Sequence, residues 1–301
     1  MKPATGSLSK HDAVEEWVDL KFFRPLGAVV VRALAGTRVS ADQVTLWALG
    51  IGLLAGHLFV YRDPGVNFVG FLLFVVSDVF DSADGQLARF RGTSSKWGRI
   101  LDGLSDNGRW ANFYVHLVIR LGVFQHDPAG ASLVLAAGVA HSFQATATDG
   151  IRQTYLELTG AERRTVDLPE RVARLRPRGR GRRVALALYA GYANRVARLL
   201  PETFALVRES RRARPDAPAT AIRREAFASR QRAAVGHCAW LGHNIRFALL
   251  ALLPVLGGVR GFLWITLVPL TAVMVALTLR YERTSLLLHR AAPRSAEAAA
   301  L

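Results

Sequence analysis

Apolar segments long enough to cross a lipid bilayer recur six times along this chain of 301 residues. A spanning helix needs about 20 predominantly apolar residues, and inside lipid only helices and closed barrels satisfy every backbone polar group. The sequence therefore predicts an all-α integral membrane protein built as a six-transmembrane-helix bundle. We place the spans near 43–61, 65–83, 103–124, 129–149, 234–256 and 259–280.

The basic residues are concentrated between the fourth and fifth apolar segments. Residues 151–232 hold 20 arginines and eight acidic residues, which together supply +12 of the formal net charge of +16. Positively charged loops stay on the cytoplasmic side of a membrane. With six spans, this basic insert, the loop near 84–102 and both termini all lie on the cytoplasmic side of the cell or inner membrane. The single cysteine, Cys238, excludes an intrachain disulfide.

The first segment of the chain differs from the six spans because it is amphipathic. Between Asp12 and Leu34, apolar residues such as Trp17 and Phe22 recur at helical spacing, with charged residues between them. The pattern is typical of a helix that lies in the membrane interface, although a soluble helix capping the core would also produce it. We divide the chain into an N-terminal amphipathic interfacial helix (1–38), the first four spans (39–150), the basic cytoplasmic insert (151–232), the last two spans (233–285) and a cytoplasmic tail (286–301).

Four aspartates follow a fixed spacing where the second span ends and the third begins. Asp81 and Asp84 are three residues apart, and Asp102 and Asp106 are four apart, so each pair lies on one face of a helix. Carboxylates beside a membrane are costly unless they pair with cations or line a wet cavity. Four such groups facing one another across a short turn form a site of hard oxygen ligands. That site suits Mg²⁺ or Mn²⁺, and a pair of these ions is able to hold a diphosphate.

Small residues and one arginine accompany the aspartates at fixed offsets, namely Gly85, Ala88, Arg89 and Gly98. The stretch Asp81 to Asp106 reads D-x2-D-G-x2-A-R-x8-G-x3-D-x3-D, and it resembles the signature of the CDP-alcohol phosphatidyltransferase family. The hydrophobic layout of residues 40–285 is also similar to that family's six-helix core. The alternative is a structural acidic cluster neutralised by arginines, which would not need the glycine, alanine and arginine at these offsets.

The resemblance implies a metal-dependent enzyme that moves a phosphatidyl or substituted phosphoryl group from a CDP-linked donor to an alcohol and releases CMP. It implies that Asp106 is the general base on the acceptor hydroxyl. The metal ligands, for two ions, would be Asp81, Asp84, Asp102 and Asp106. The donor-binding residues would be Asp42, Thr45, Gly85, Arg89 and Ser95. Family members commonly carry Pro-Asn-x-x-Thr where this chain has Ala41 to Thr45, which leaves a helix-capping role for Asp42 equally open.

The acceptor is the least constrained part of the hypothesis. Polar residues at the cytoplasmic ends of the fourth and fifth spans are candidates to bind it, namely Gln144, Arg152, Asn244 and Arg246. The arginines suit a phosphorylated polyol, but each is also able to pair with a carboxylate or to reach lipid headgroups. The direction of use stays open as well. We favour CDP-diacylglycerol with a polar alcohol over a CDP-linked head group with diacylglycerol.

The insert contains an arginine–glycine stretch, Pro177 to Arg183, which we name the basic tract. Similar tracts bind nucleic acid, but this one has no interleaved aromatic residues on which bases would stack. Near anionic headgroups each basic residue contributes about 1 kcal/mol of attraction. We therefore expect anionic membrane lipids, and no nucleic acid, as its partner. A non-catalytic lipid-binding scaffold is the hypothesis from another class, and a homodimer stays open.

Overall fold

A computed structural model of the protein describes residues 14–162, 164–212, 218–253 and 258–290, and every regular element in these ranges is a helix. The predicted all-α class is therefore confirmed. The chain divides into two compact units. The first unit combines the chain up to Ser142 with Pro177–Tyr189 and His243–Pro269, and the second combines Phe143–Arg176, Ala190–Gly242 and the chain from Leu270.

The helices of the first half of the chain are α1 (Arg24–Leu34), α2 (Ala41–Leu58), α3 (Pro64–Phe90), α4 (Lys96–Val118) and α5 (Pro128–Thr159). Those of the second half are α6 (Pro169–Val172), α7 (Arg180–Leu199), α8 (Pro201–Arg212), α9 (Pro218–His237), α10 (His243–Ala251), α11 (Val259–Leu267) and α12 (Pro269–Arg290). Wider π-helical turns precede α1 (Asp19–Phe23) and follow α4 (Ile119–Phe124), and a 3₁₀ turn follows α9 (Cys238–Leu241). Helices α5 and α7 each contribute residues to both units.

Local sequence fixes where α2, α3 and α4 begin. Ser40 and Gln43 form a capping box at α2, in which each side chain accepts a hydrogen bond from the other residue's backbone N–H. Asp63 accepts a hydrogen bond from Val66 N at 2.9 Å and caps α3, with proline at the first helical position. Ser95 Oγ accepts a hydrogen bond from Gly98 N at 2.9 Å and caps α4. These caps satisfy backbone N–H groups that would otherwise be unpaired at the helix starts.

The first unit has an aromatic core where α2, α3 and α4 pack together. Phe59 and Phe113 contact edge to face, with ring centroids 5.0 Å apart, and Phe74 stacks on Trp110 at 5.3 Å. A glycine permits the closest approach of α2 and α3, because a Cβ on Gly70 would lie 2.9 Å from the Phe59 ring. Close packing at small residues is what stabilises helix pairs in lipid, where no water is released by association.

The second unit is held together by buried polar contacts in addition to apolar packing. Glu282, on α12, accepts hydrogen bonds from the backbone N–H groups of Glu202 (2.7 Å) and Thr203 (3.2 Å) at the start of α8. Gln231, on α9, donates to the carbonyl of Tyr281 at 2.9 Å. Helices α8 and α9 of the basic insert are thus hydrogen-bonded to α12, and these contacts satisfy groups that would otherwise be buried or part-buried without a partner.

Two segments of the described residues are long and apolar enough to cross a membrane, Pro64–Phe90 and Val259–Arg290. The other predicted spans are helical too, but α10 covers only nine residues of the fifth. Helices α2, α4 and α5 carry several polar residues along their length. Residues 254–256 of the fifth span lie outside the described residues. The count of six spans stays a prediction.

The predicted interfacial helix corresponds to a short π-helical turn followed by α1. Residues 1–13 of its predicted range lie outside the described residues, as do residues 291–301 of the predicted tail. Trp17 and Phe22 are exposed, whereas Phe23 and Val31 on the same segment are buried. The segment therefore packs one side on the first unit and presents aromatic rings on the other, which supports the interfacial hypothesis.

Candidate active site

Three of the four predicted metal ligands converge in the first unit. One carboxylate oxygen from each of Asp81, Asp102 and Asp106 lies within 4.8 Å of the other two. The α3–α4 hairpin brings them together, because Asp81 is near the end of α3 and the other two lie on the first turns of α4. Three partly exposed carboxylates at this spacing fit a hard divalent cation such as Mg²⁺ or Mn²⁺.

Asp84, the fourth predicted ligand, has a different environment. It is buried, and its Oδ2 accepts a short hydrogen bond from the Thr45 hydroxyl on α2. Within the described ranges, the set of carboxylates that lie close enough to share an ion consists of Asp81, Asp102 and Asp106, and it does not include Asp84. Its role as a metal ligand stays a prediction, and its observed contact joins α3 to the helix that carries two predicted donor residues, Asp42 and Thr45.

The remaining predicted donor residues lie at the two ends of the turn between α3 and α4. A Cβ on Gly98 would lie 3.3 Å from Ser95 Oγ and 3.5 Å from Asp42 Oδ1, so both side chains lie close to Gly98 at the start of α4. A Cβ on Gly85 would lie 3.4 Å from the Arg89 guanidinium, which covers that glycine. The alternative role of Asp42 as a helix cap is wrong, because Ser40 occupies the N-cap position of α2.

The family model described as CDP-alcohol phosphatidyltransferase matches residues 38–155. This region belongs to that family. Its members are membrane-embedded transferases of phosphatidyl groups in phospholipid synthesis, so the family and the enzyme class predicted from the aspartate signature are confirmed. Among curated proteins, none matches the chain. The matched region of this phosphatidyltransferase contains all the predicted metal and donor residues and two of the four predicted acceptor residues.

Arg109, which the sequence analysis did not single out, lies inside the aspartate cluster of the phosphatidyltransferase. Its Nη1 donates to Ser77 Oγ (2.7 Å) and Asp78 Oδ1 (2.8 Å). Its Nη2 contacts Asp81 Oδ1 at 3.3 Å and donates a short hydrogen bond to Asp106 Oδ1. The Arg109 side chain is only 4% exposed, whereas that of Asp106 is 47% exposed. A buried cation therefore supports the inner side of the cluster and leaves Asp106 open to solvent.

A chain of polar contacts continues from Asp78 to the N-terminal segment. His243 Nε2, at the start of α10, lies 3.6 Å from Asp78 Oδ2 and 3.7 Å from Asp19 Oδ1. The neighbouring Asn244 donates to Glu16 Oε2 at 2.7 Å and to Asp19 Oδ1 at 3.1 Å. Asn244, a predicted acceptor residue, is thus bonded to acidic residues of the predicted interfacial helix.

The other predicted acceptor residues are distributed over both units. Arg246 belongs to the first unit and is 1% exposed. Gln144 and Arg152, on α5, belong to the second unit. The Gln144 side chain is buried and donates to Thr271 Oγ1 at 2.9 Å. Their assignment to the acceptor stays a prediction.

The basic tract also reaches the first unit. The guanidinium of Arg182 lies 5.5 Å from the ring centroid of Trp97, a cation–π contact. Trp97 is two residues after Ser95, so the tract lies beside the turn that carries the predicted donor residues. The sequence carried no signal for this pairing, because the two residues are 85 positions apart.

Proposed function

We propose that this phosphatidyltransferase transfers a phosphatidyl group from CDP-diacylglycerol to the hydroxyl of a polyol or polyol phosphate and releases CMP. The observation that carries the proposal is the convergence of Asp81, Asp102 and Asp106 within 4.8 Å, beside the predicted donor residues. A scaffold that binds anionic lipids would need basic contact surfaces, but it would not need a cluster of carboxylates that repel one another in the absence of a cation.

Asp81, Asp102 and Asp106 would hold Mg²⁺ or Mn²⁺, with Asp84 as the fourth residue of a two-ion site. The bound cations would neutralise the diphosphate of the donor. Asp106 is the proposed general base: it accepts the proton of the acceptor hydroxyl as the new bond to the β-phosphorus forms and the bond to CMP breaks. Its side chain is 47% exposed, compared with 23% for that of Asp81, so its carboxylate is accessible to an incoming alcohol.

The donor is proposed to bind along α2, the end of α3 and the turn before α4. Thr45 and Asp42 would contribute polar groups from α2, and Ser95 would contribute its hydroxyl from the start of α4, where Asp42 and Ser95 both lie close to Gly98. Arg89 offers a planar fork of donors, which suits phosphate oxygens. The absence of a side chain at Gly85 leaves room for that guanidinium against α3, where it would meet the donor.

Arg246, Asn244, Gln144 and Arg152 remain the proposed acceptor residues, and each is to be tested separately. An arginine is well suited to an acceptor that carries its own phosphate, because the guanidinium binds phosphate oxygens in a bidentate manner. On this hypothesis, substitution of such an arginine raises the KM for the acceptor and leaves the affinity for the donor unchanged.

We further propose that the site, the basic insert and both termini face the cytoplasm, and that the basic tract binds anionic lipid headgroups. The charge of residues 151–232 supports this orientation. The contact between Arg182 and Trp97 supports a position of the tract next to the donor turn.

The proposed function is tested with purified protein in nanodiscs that contain CDP-diacylglycerol and Mn²⁺. A panel of acceptors (inositol, inositol phosphate, glycerol phosphate, serine and choline) is supplied one at a time, and the lipid product is identified by mass. We expect one polar alcohol to give a phosphatidyl product with one CMP released per product. A second arm supplies a CDP-linked head group to nanodiscs that contain diacylglycerol, and product in that arm alone would reverse the proposed direction. No CMP from any donor would favour the scaffold hypothesis.

A further inference from the structure

We infer that Arg109 is a positioning residue of the proposed metal site. Its guanidinium binds one oxygen of Asp81 and one oxygen of Asp106, and on this inference it thereby fixes the orientation of both carboxylates in the cluster with Asp102. The inference rests on the proposed function, because it assumes that these three carboxylates hold a divalent ion.

Both terminal nitrogens of the Arg109 guanidinium donate hydrogen bonds. Nη1 donates to Ser77 Oγ at 2.7 Å and to Asp78 Oδ1 at 2.8 Å. Both residues are buried and precede Asp81 on α3. Ser77 in turn donates to the carbonyl of Ala48 on α2 at 2.7 Å. Nη2 is thereby left to face Asp81 and Asp106. Ser77 and Asp78 therefore hold the guanidinium in place. The guanidinium in turn is able to orient the carboxylates of Asp81 and Asp106.

The stem of Arg109 occupies a slot that α2 provides for it. A Cβ on Gly52 would overlap Cγ and Cδ of Arg109 and would lie 2.9 Å from Ser77 Oγ. Only glycine leaves this volume empty, so the position of the guanidinium depends on a residue 57 positions away in the chain. Gly50, two residues earlier on the same helix, is exposed and has no atom within 4 Å of an added Cβ.

An outer partner of this kind matters to a metal site because a ligand must present its oxygen in a defined direction. Loss of such a partner typically weakens metal affinity by 10–100-fold. Arginine supplies two parallel donors in one plane, whereas lysine keeps the charge but has no fork. Arg109 would therefore act on the cluster through geometry in addition to charge.

The test is a titration of the protein with Mn²⁺ alone, in detergent and without substrate, in which free Mn²⁺ is measured by electron paramagnetic resonance. We expect Arg109→Gln and Arg109→Lys each to weaken Mn²⁺ binding by about 10-fold or more. Affinity within twofold of wild type in both variants would overturn the inference, and so would tighter binding, because Arg109 would then only compete with the ion.

Gly52→Ala displaces the Arg109 stem without removing its charge, and Gly50→Ala is its matched control. We expect Gly52→Ala to weaken Mn²⁺ binding in the same direction as the Arg109 variants, and Gly50→Ala to bind as wild type does. Thermal unfolding without metal shows which variants are folded, and affinities are compared among those. Gly52→Ala that is folded and binds Mn²⁺ normally would contradict the inference.

The failure of this inference differs from the failure of the proposed metal site. If the wild-type protein binds no Mn²⁺ in this titration, the proposed site itself is wrong. If the wild-type protein binds Mn²⁺ and the Arg109 and Gly52 variants bind it equally well, the metal site stands and only the positioning role is lost.

Discussion

At the scale of single residues, the active site depends on pairs that lie far apart in the sequence. Thr45 and Asp84 are 39 positions apart, yet the Thr45 hydroxyl bonds the buried Asp84 carboxylate. A buried carboxylate that loses one of its hydrogen-bond donors pays a desolvation penalty of about 1–3 kcal/mol. This pair therefore links the proposed donor site on α2 to the carboxylates on α3.

We predict that Thr45→Val lowers the affinity for the CDP-linked donor and the free energy of unfolding, the latter by about 1–3 kcal/mol. The valine has nearly the same shape but no hydroxyl for Asp84. Donor KM and thermal unfolding in detergent are the measurements, with Thr45→Ser as the matched control because it keeps the hydroxyl. Equal donor KM in the valine and serine variants would remove Thr45 from the donor site.

Single residues also differ in how far their place in the site was predictable from the sequence. The convergence of Asp81, Asp102 and Asp106 followed from helical spacing and one short turn, which are local properties. Arg109 was missed although it stands three residues after Asp106, a spacing that places both on one helix face. A buried arginine within an apolar segment is itself a signal of function. Its contacts to Ser77 and Asp78 depend on how α3 packs on α4, which no local pattern specifies.

At the scale of elements, glycines on α2 and α3 determine how closely the helices of the first unit approach. A Cβ on Gly70 would lie 2.9 Å from the Phe59 ring and 3.0 Å from the carbonyl oxygen of Ala55. The second of these atoms belongs to the backbone and cannot rotate away. The α2–α3 pair must therefore separate if this position gains a side chain.

We predict that Gly70→Ala destabilises the protein by about 1–3 kcal/mol, the usual cost of overpacking. Gly50→Ala is the matched control, and we expect it to be neutral or stabilising by up to about 1 kcal/mol, because alanine favours a helix where space is open. Thermal unfolding in one detergent compares the two. Equal unfolding temperatures would mean that α2 and α3 are not in contact at Gly70.

The positions of the helices were predictable because they depend on local sequence patterns. Within the described residues, the predicted spans other than the fifth are mainly helical, because about 20 apolar residues bounded by turn residues admit few other structures in lipid. The fifth is divided between the end of α9, a 3₁₀ turn and the nine residues of α10. The association of Asn244 with Glu16 and Asp19 was not predictable, since these residues are more than 220 positions apart. The count of spans was harder to predict than the helices, because polar residues on α2, α4 and α5 serve the site and the packing.

At the scale of the whole molecule, the distribution of charge is proposed to couple the enzyme to its lipid surface. The basic tract has exposed arginines at 178, 180 and 183, while Arg182 lies over Trp97. Apolar residues follow on the same helix, since Val184 and Leu188 are 56% and 60% exposed at a spacing of four residues. A basic and apolar surface of this kind suits anionic headgroups.

We predict that replacing Arg178, Arg180 and Arg183 by glutamine weakens binding to anionic liposomes in a salt-dependent way, because exposed charges are screened by salt. Activity in neutral detergent should remain within twofold of wild type. Flotation with anionic and neutral vesicles at low and high salt provides the measurement. Arg182→Gln is the companion variant, since it removes the contact with Trp97. Collapse of activity in neutral detergent for the triple variant would place the tract in the active site.

The most direct test of the central proposal is CMP release by Asp106→Asn at Mn²⁺ and donor concentrations that saturate both proteins. Asparagine keeps an oxygen for the metal but does not accept the proton of the acceptor hydroxyl. We predict that the variant still binds Mn²⁺ and CDP-diacylglycerol, and that its turnover falls by at least about 100-fold, the lower range of general-base catalysis. CMP release near the wild-type rate would contradict the assignment of this aspartate cluster as the catalytic site.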